Sequence, residues 1–122
     1  MNIRNNDLIF VSFKSDGVYL NDIKFIDKKA TQKIEILKLL FLSQTKALIN
    51  NSENIGLSWY EISLSMEQTT KKTMSEQYIR QLIYEIGSKT NYVLCNKKFK
   101  IIVMQNHRYI LNSNIVLNMS KK

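Results

Sequence analysis

The chain has no proline, three glycines, one cysteine and one histidine in 122 residues. The absence of proline and the scarcity of glycine exclude collagen-like, linker-like and low-complexity organisations. Cys95 has no second cysteine to pair with, and no Cys or His stands near it at zinc-ligand spacing. Its flanks, Val93 and Leu94, read as strand, so a buried structural thiol is expected. No apolar tract approaches a bilayer span, since the longest, Ile34 to Leu42, is interrupted by Glu35 and Lys38. The stretch from Leu8 to Phe13 follows Asp7 and leads to no small-residue cleavage site, so a signal peptide's layout is missing. A reducing, cytoplasmic compartment is the expectation. Nucleophilic and metal-centred catalysis have little to work with. Gly17, Gly56 and Gly87 belong to no phosphate-binding loop. Neither an enzyme nor a cofactor or metal site is expected.

The second half also has little acid. Up to Glu67, eight cations are matched by eight acids. From Gln68 onward, ten Lys and Arg face only Glu76 and Glu85, so the whole net charge of +8 belongs to that part. Like charges crowded on one side repel and do nothing for folding. A polyanionic partner compensates them, and nucleic acid is the commonest one.

The length supports one domain spanning 1–122. The runs Leu8–Phe13 and Val18–Ile26 are rich in β-branched and aromatic residues and are separated by Ser15-Asp16-Gly17, a hairpin signal. Asn21-Asp22 is a second break that divides the return run. A small antiparallel sheet over about 8–26 is therefore expected. From Thr31 the apolar period becomes helical, with Ile34, Leu37, Leu40 and Phe41 on one face, and the helix extends to about Ile49.

Two capping-box patterns announce further helices: Ser58-x-x-Glu61, opening about 58–66, and Thr73-x-x-Glu76, opening about 74–86 and ending near Gly87. Glu67–Lys72 is the connection between them. Strand-like runs over about 92–112 form a hairpin that turns at Gln105–Arg108, and 113–122 reads as a flexible tail. The fold class is α+β: a small N-terminal antiparallel sheet, three helices and a C-terminal β-hairpin wing, the order of a winged helix-turn-helix.

On the helix at 74–86, Ser75, Ile79, Leu82, Ile83 and Ile86 share one face, while Gln77, Arg80, Gln81, Tyr84 and Ser88 project from the other. Gln bonds adenine and Arg bonds guanine in a bidentate manner in the major groove, so Gln77, Arg80, Gln81 and Tyr84 are the candidate base readers. Lys71, Lys72, Thr73 and Ser88, with Lys97, Lys98, Lys100, His107 and Arg108 of the wing, are the candidate contacts to the DNA backbone or minor groove. A solvated helix face and a charged edge strand that blocks aggregation would account for the same residues without DNA.

Four stretches, together with the order of elements, resemble the OmpR/ToxR-type winged helix-turn-helix domain of bacterial transcription regulators. They are the N-terminal strands, Ile34-x-Ile36-Leu37-x-Leu39-Leu40, Ser58-x-x-Glu61-Ile62, and Gln77-Tyr78-Ile79-Arg80-Gln81-Leu82. Asn106-His107-Arg108-Tyr109-Ile110-Leu111 stands where that family carries its wing and closing strand. Where family members often have arginines flanking the core Leu, this chain has Gln81 and Ile83, and Asn106 and Arg108 replace the glycines usual in the wing turn.

The resemblance covers about Leu8 to Asn112. It implies a regulator that binds double-stranded DNA, as a homodimer or in tandem, with an RNA polymerase contact through 67–72. It implies either a stand-alone protein or the DNA-binding portion of a longer one on the cytoplasmic side of the inner membrane. Two other readings stay open: a winged-helix module for protein–protein contact, and a replication-initiator DNA-binding domain.

Overall fold

The computed structural model describes residues 8–118. The chain runs β1 (Ile9–Lys14), β2 (Gly17–Leu20), β3 (Ile23–Asp27), α1 (Thr31–Ile49), β4 (Leu57–Ser58), α2 (Trp59–Thr70), α3 (Glu76–Leu94), β5 (Ile102–Gln105), β6 (Arg108–Leu111) and β7 (Ile115–Leu117). The fold is α+β, with three helices between two small sheets. One sheet has the order β3-β2-β1-β7, and the other β4-β6-β5.

The expected N-terminal sheet forms, and its turns follow from local chemistry. Lys14 pairs with Gly17, and Leu20 with Ile23, so both hairpins close through two residues. Asn21 and Asp22 both have positive φ, as a type I′ turn demands. Asn21 also accepts the Phe10 N–H through its Oδ1 at 2.9 Å, extending the ladder beyond the strand. One face of this sheet, with Ile9, Val11, Val18, Leu20 and Ile26 fully buried, packs on the helices.

α1 covers the expected span and buries Ile36, Leu37, Leu40, Phe41 and Ala47. α2 opens with the capping box expected at Ser58 and Glu61: Glu61 N–H donates to Ser58 Oγ at 3.2 Å, and Ser58 N–H donates to Glu61 Oε1 at 2.9 Å. It runs one turn past Met66, because Thr70 Oγ1 bonds back to the Met66 carbonyl at 2.9 Å and the helix closes only at Lys71, which is left-handed. The segment from Glu67 to Thr70 is therefore helix rather than connecting loop.

The α2–α3 turn is pinned from inside. Buried Ser63 donates to the Met74 carbonyl at 2.9 Å and accepts the Met74 N–H at 3.3 Å. That holds Met74 in the turn, so α3 is capped by Ser75, whose Oγ accepts from Tyr78 N–H at 3.1 Å. The expected box at Thr73 does not form. Glu76 pairs instead with Arg80, and Ser75 is an exposed cap rather than a member of the buried face.

α3 is also two turns longer than its sequence suggests. Ile79, Leu82, Ile86, Thr90 and Leu94 make one continuous buried stripe, and Thr90 Oγ1 bonds to the Ile86 carbonyl at 2.8 Å. Gly87 lies inside the helix and does not end it. The run Tyr92–Cys95 is therefore not strand, because burial along the stripe overrides the β-propensity of Tyr92 and Val93. Cys95 is the left-handed C-cap and is exposed, not buried.

The wing is shorter than 92–112. Asn106 and His107, both at positive φ, turn β5 into β6. β6 pairs on its other side with β4, Ser58 opposite Arg108, which ties the hairpin to the start of α2. Part of the segment expected as a flexible tail is structured: β7 pairs in parallel with β1, Ile9 opposite Ile115. Residues 119–122 lie outside the described residues.

Candidate nucleic-acid interface

Gln77, Arg80, Gln81, Tyr84 and Ser88 recur at helical spacing and are all exposed along the outer side of α3. A shallow groove of about 440 Å³ runs over Gln77, Arg80, Gln81 and Tyr84. A second of about 450 Å³ shares Tyr84 and continues over Ser88 to Lys97 and Lys100. A third of about 430 Å³ shares Gln81 and reaches Lys72, Lys29 and Tyr78. The helix face is thus continuous with basic residues at both of its ends. At 1.5 Å per residue, 19 residues of α3 span roughly 28 Å.

Lys97, Lys98 and Lys100 are not in the hairpin strands. They lie in the loop between α3 and β5, which Asn91 shapes by donating its side-chain amide to the Asn96 and Phe99 carbonyls at 2.7 and 2.6 Å. Lys71, Lys72 and Thr73 sit in the α2–α3 turn, all exposed. Among the described residues, Lys71, Lys72, Lys89, Lys97, Lys98 and Lys100 make no ion pair. Lys24, Lys33, Arg80 and Arg108 are each matched to a carboxylate.

Two candidate readers are held by acids of their own helix. Arg80 pairs with Glu76 at 3.0 Å, and Gln81 Nε2 donates to Glu85 Oε2 at 2.8 Å. The Gln81 bond and the Lys33 ammonium at 2.9 Å keep the Glu85 carboxyl below its ordinary pKa. An exposed i,i+4 ion pair is worth only about 0.3–0.5 kcal/mol, so Glu76 leaves the Arg80 guanidinium available to a stronger partner.

Arg108 has a different task from the one its position at the wing suggests. Its guanidinium donates to the Ile55 carbonyl at 3.1 Å, the Gly56 carbonyl at 3.0 Å and Glu61 Oε1 at 2.6 Å. It locks the wing to the α2 cap. His107 stands at the exposed hairpin tip beside Asn106, outside the three grooves. Arg108→Ala is expected to cost about 2 kcal/mol, since charge-assisted bonds to half-buried acceptors are lost. Urea unfolding checks this, and a loss below ~0.5 kcal/mol would return Arg108 to the solvent.

Sequence reasoning missed the start of α1 as a neighbour of this face. Tyr78 Oη donates to Gln32 Oε1 at 2.5 Å, and Lys29 and Lys33 border the same groove. The pair Lys28-Lys29 before a helix start was the available signal. No family model, curated protein or solved structure matches this chain. Among the described residues, no helix is long and apolar enough to cross a membrane.

Proposed function

We propose that this chain is a non-catalytic regulator of transcription that reads double-stranded DNA in the cytoplasm, along the lines its OmpR/ToxR-like resemblance implies. One observation carries the reading: a polar, hydrogen-bonding stripe on α3 continuous with lysines that no acid among the described residues pairs with, at both ends of the helix. α3 enters the major groove. Gln77, Arg80, Gln81 and Tyr84 face base edges, and Lys72, Lys97 and Lys100 meet phosphates on either side. Lys98 meets a phosphate as well, and Lys71 and Lys89 add to the field that draws the duplex in.

Binding to random duplex, titrated with salt and followed by selection from the same pool, tests this. The expected result is a steep fall of affinity with salt together with an enriched motif. Salt dependence without a motif would reduce the function to nonspecific binding. No binding at low salt would make the chain a protein-contact module. Once a motif is known, Arg80→Ala and Gln81→Ala should each relax preference at one base pair by about 1–3 kcal/mol. Unchanged selection profiles in both variants would remove α3 from the role of reader.

A further inference from the structure

The face away from α3 carries a groove of about 1060 Å³ between the C-terminal half of α1, the β5–β6 hairpin and β7. Its apolar lining comes from Phe41, Leu48, Val103, Ile110, Val116 and Leu117, and none of its lining residues is charged. Leu48 is 76% exposed, as is its neighbour Ile49. In a chain of net charge +8 such a surface is conspicuous. Contiguous apolar surface of this kind marks a place where something docks.

We infer that the occupant is a second copy of this chain, seated with the two β7 strands antiparallel across a two-fold axis at Val116. The first argument is electrostatic. Two copies at +8 repel wherever lysines meet, and a charge-free face is where they approach without that penalty. A polyanion has nothing to hold there.

The second argument is the strand edge. Among the described residues β7 ends its sheet, paired only with β1. The Asn114 carbonyl accepts from Ile9 N–H, and Asn118 N–H donates to the Val11 carbonyl, so the alternate residues face β1. By the period of two, the Leu117 N–H and carbonyl and the Ile115 carbonyl point outward, while Ile115 N–H is spent on the Asn112 carbonyl. With Val116 on the axis, Leu117 N–H of each copy meets the Ile115 carbonyl of the other. No Lys or Pro in Ile115-Val116-Leu117 guards this edge.

The third argument is position, and it rests on the DNA reading above. α3 packs on β3, at the edge of the sheet opposite β7. Pairing through β7 leaves both reading helices uncovered.

Sedimentation velocity of the whole chain without DNA, from micromolar to hundreds of micromolar, is the test. The expected result is a concentration-dependent dimer. Leu48→Glu, which places two extra acids in the contact, and Val116→Lys, which opposes two ammonium groups at the axis, should each weaken it at least about tenfold. Thermal unfolding of Leu48→Glu should match the parent, because Leu48 is largely exposed. A monomer throughout the range, or a dimer indifferent to both variants, would overturn the interface. A dimer that binds no DNA would overturn the functional reading alone, and a monomer that binds DNA would overturn the interface alone.

Discussion

Replacing Lys97, Lys98 and Lys100 together by alanine is expected to lower affinity for any duplex by about two orders of magnitude at 0.15 M salt. The estimate comes from counterion release. Each phosphate neutralised contributes about 0.9 to the slope of log K against log salt, so three contacts contribute about 2.7. At 0.15 M that slope corresponds to roughly a hundredfold in K. The three lysines meet the requirements: the α3–β5 loop presents them exposed, and no acid among the described residues pairs with them.

Sequence preference should survive in this variant, because phosphate contacts position the protein and base contacts specify. The measurement is a salt titration of parent and triple variant on one duplex. A variant with the parental slope would show that these lysines face solvent when DNA is bound, and the basic contact would pass to Lys71, Lys72 and Lys89.

What was legible in the sequence was what is decided within a few residues. The Ser58/Glu61 box, the Ser15-Asp16 and Asn21-Asp22 turns and the span of α1 depend on neighbours in the chain, and all are where local chemistry puts them. The exposed stripe on α3 was legible for the same reason, since helical period alone separates Gln77, Arg80, Gln81 and Tyr84 from Ile79, Leu82 and Ile86.

What was hidden depends on distant partners. Whether α3 stops at Gly87 is decided by the burial of Thr90 and Leu94 in the core. The fate of Arg108 is decided by Glu61, 47 residues earlier. β7 exists because β1 offers it an edge from the other end of the chain. Thr73-x-x-Glu76 fits the capping pattern as well as Ser58-x-x-Glu61 does. It fails because Ser63, on another helix, holds Met74 out of the helical conformation.

Gly56→Ala should strongly destabilise this chain, costing about 3–5 kcal/mol. Gly56 is buried at φ +75°, just before β4. A Cβ there would lie 2.2 Å from the Tyr109 carbonyl oxygen and 2.6 Å from Ile110 Cγ1. The left-handed backbone alone costs an alanine about 1 kcal/mol. The clash cannot be relieved by a rotamer, because its nearest partner is backbone of β6. Relief requires β4 and β6 to part at Leu57 and Tyr109, and that also strains the Gly56 carbonyl bond to Arg108. One methyl thus loosens the joint between the wing and the helix-turn-helix.

Gly87→Ala provides the opposite sign. A Cβ at Gly87 meets nothing within 4 Å, and mid-helix alanine in place of glycine stabilises by about 0.5–1 kcal/mol. Urea unfolding of the two variants decides both. A Gly56→Ala protein within ~1 kcal/mol of the parent would mean that β4 is not fastened to β6 as described. A destabilised Gly87→Ala would mean that α3 breaks where its glycine stands, and the buried stripe would end at Ile86 without Thr90 and Leu94.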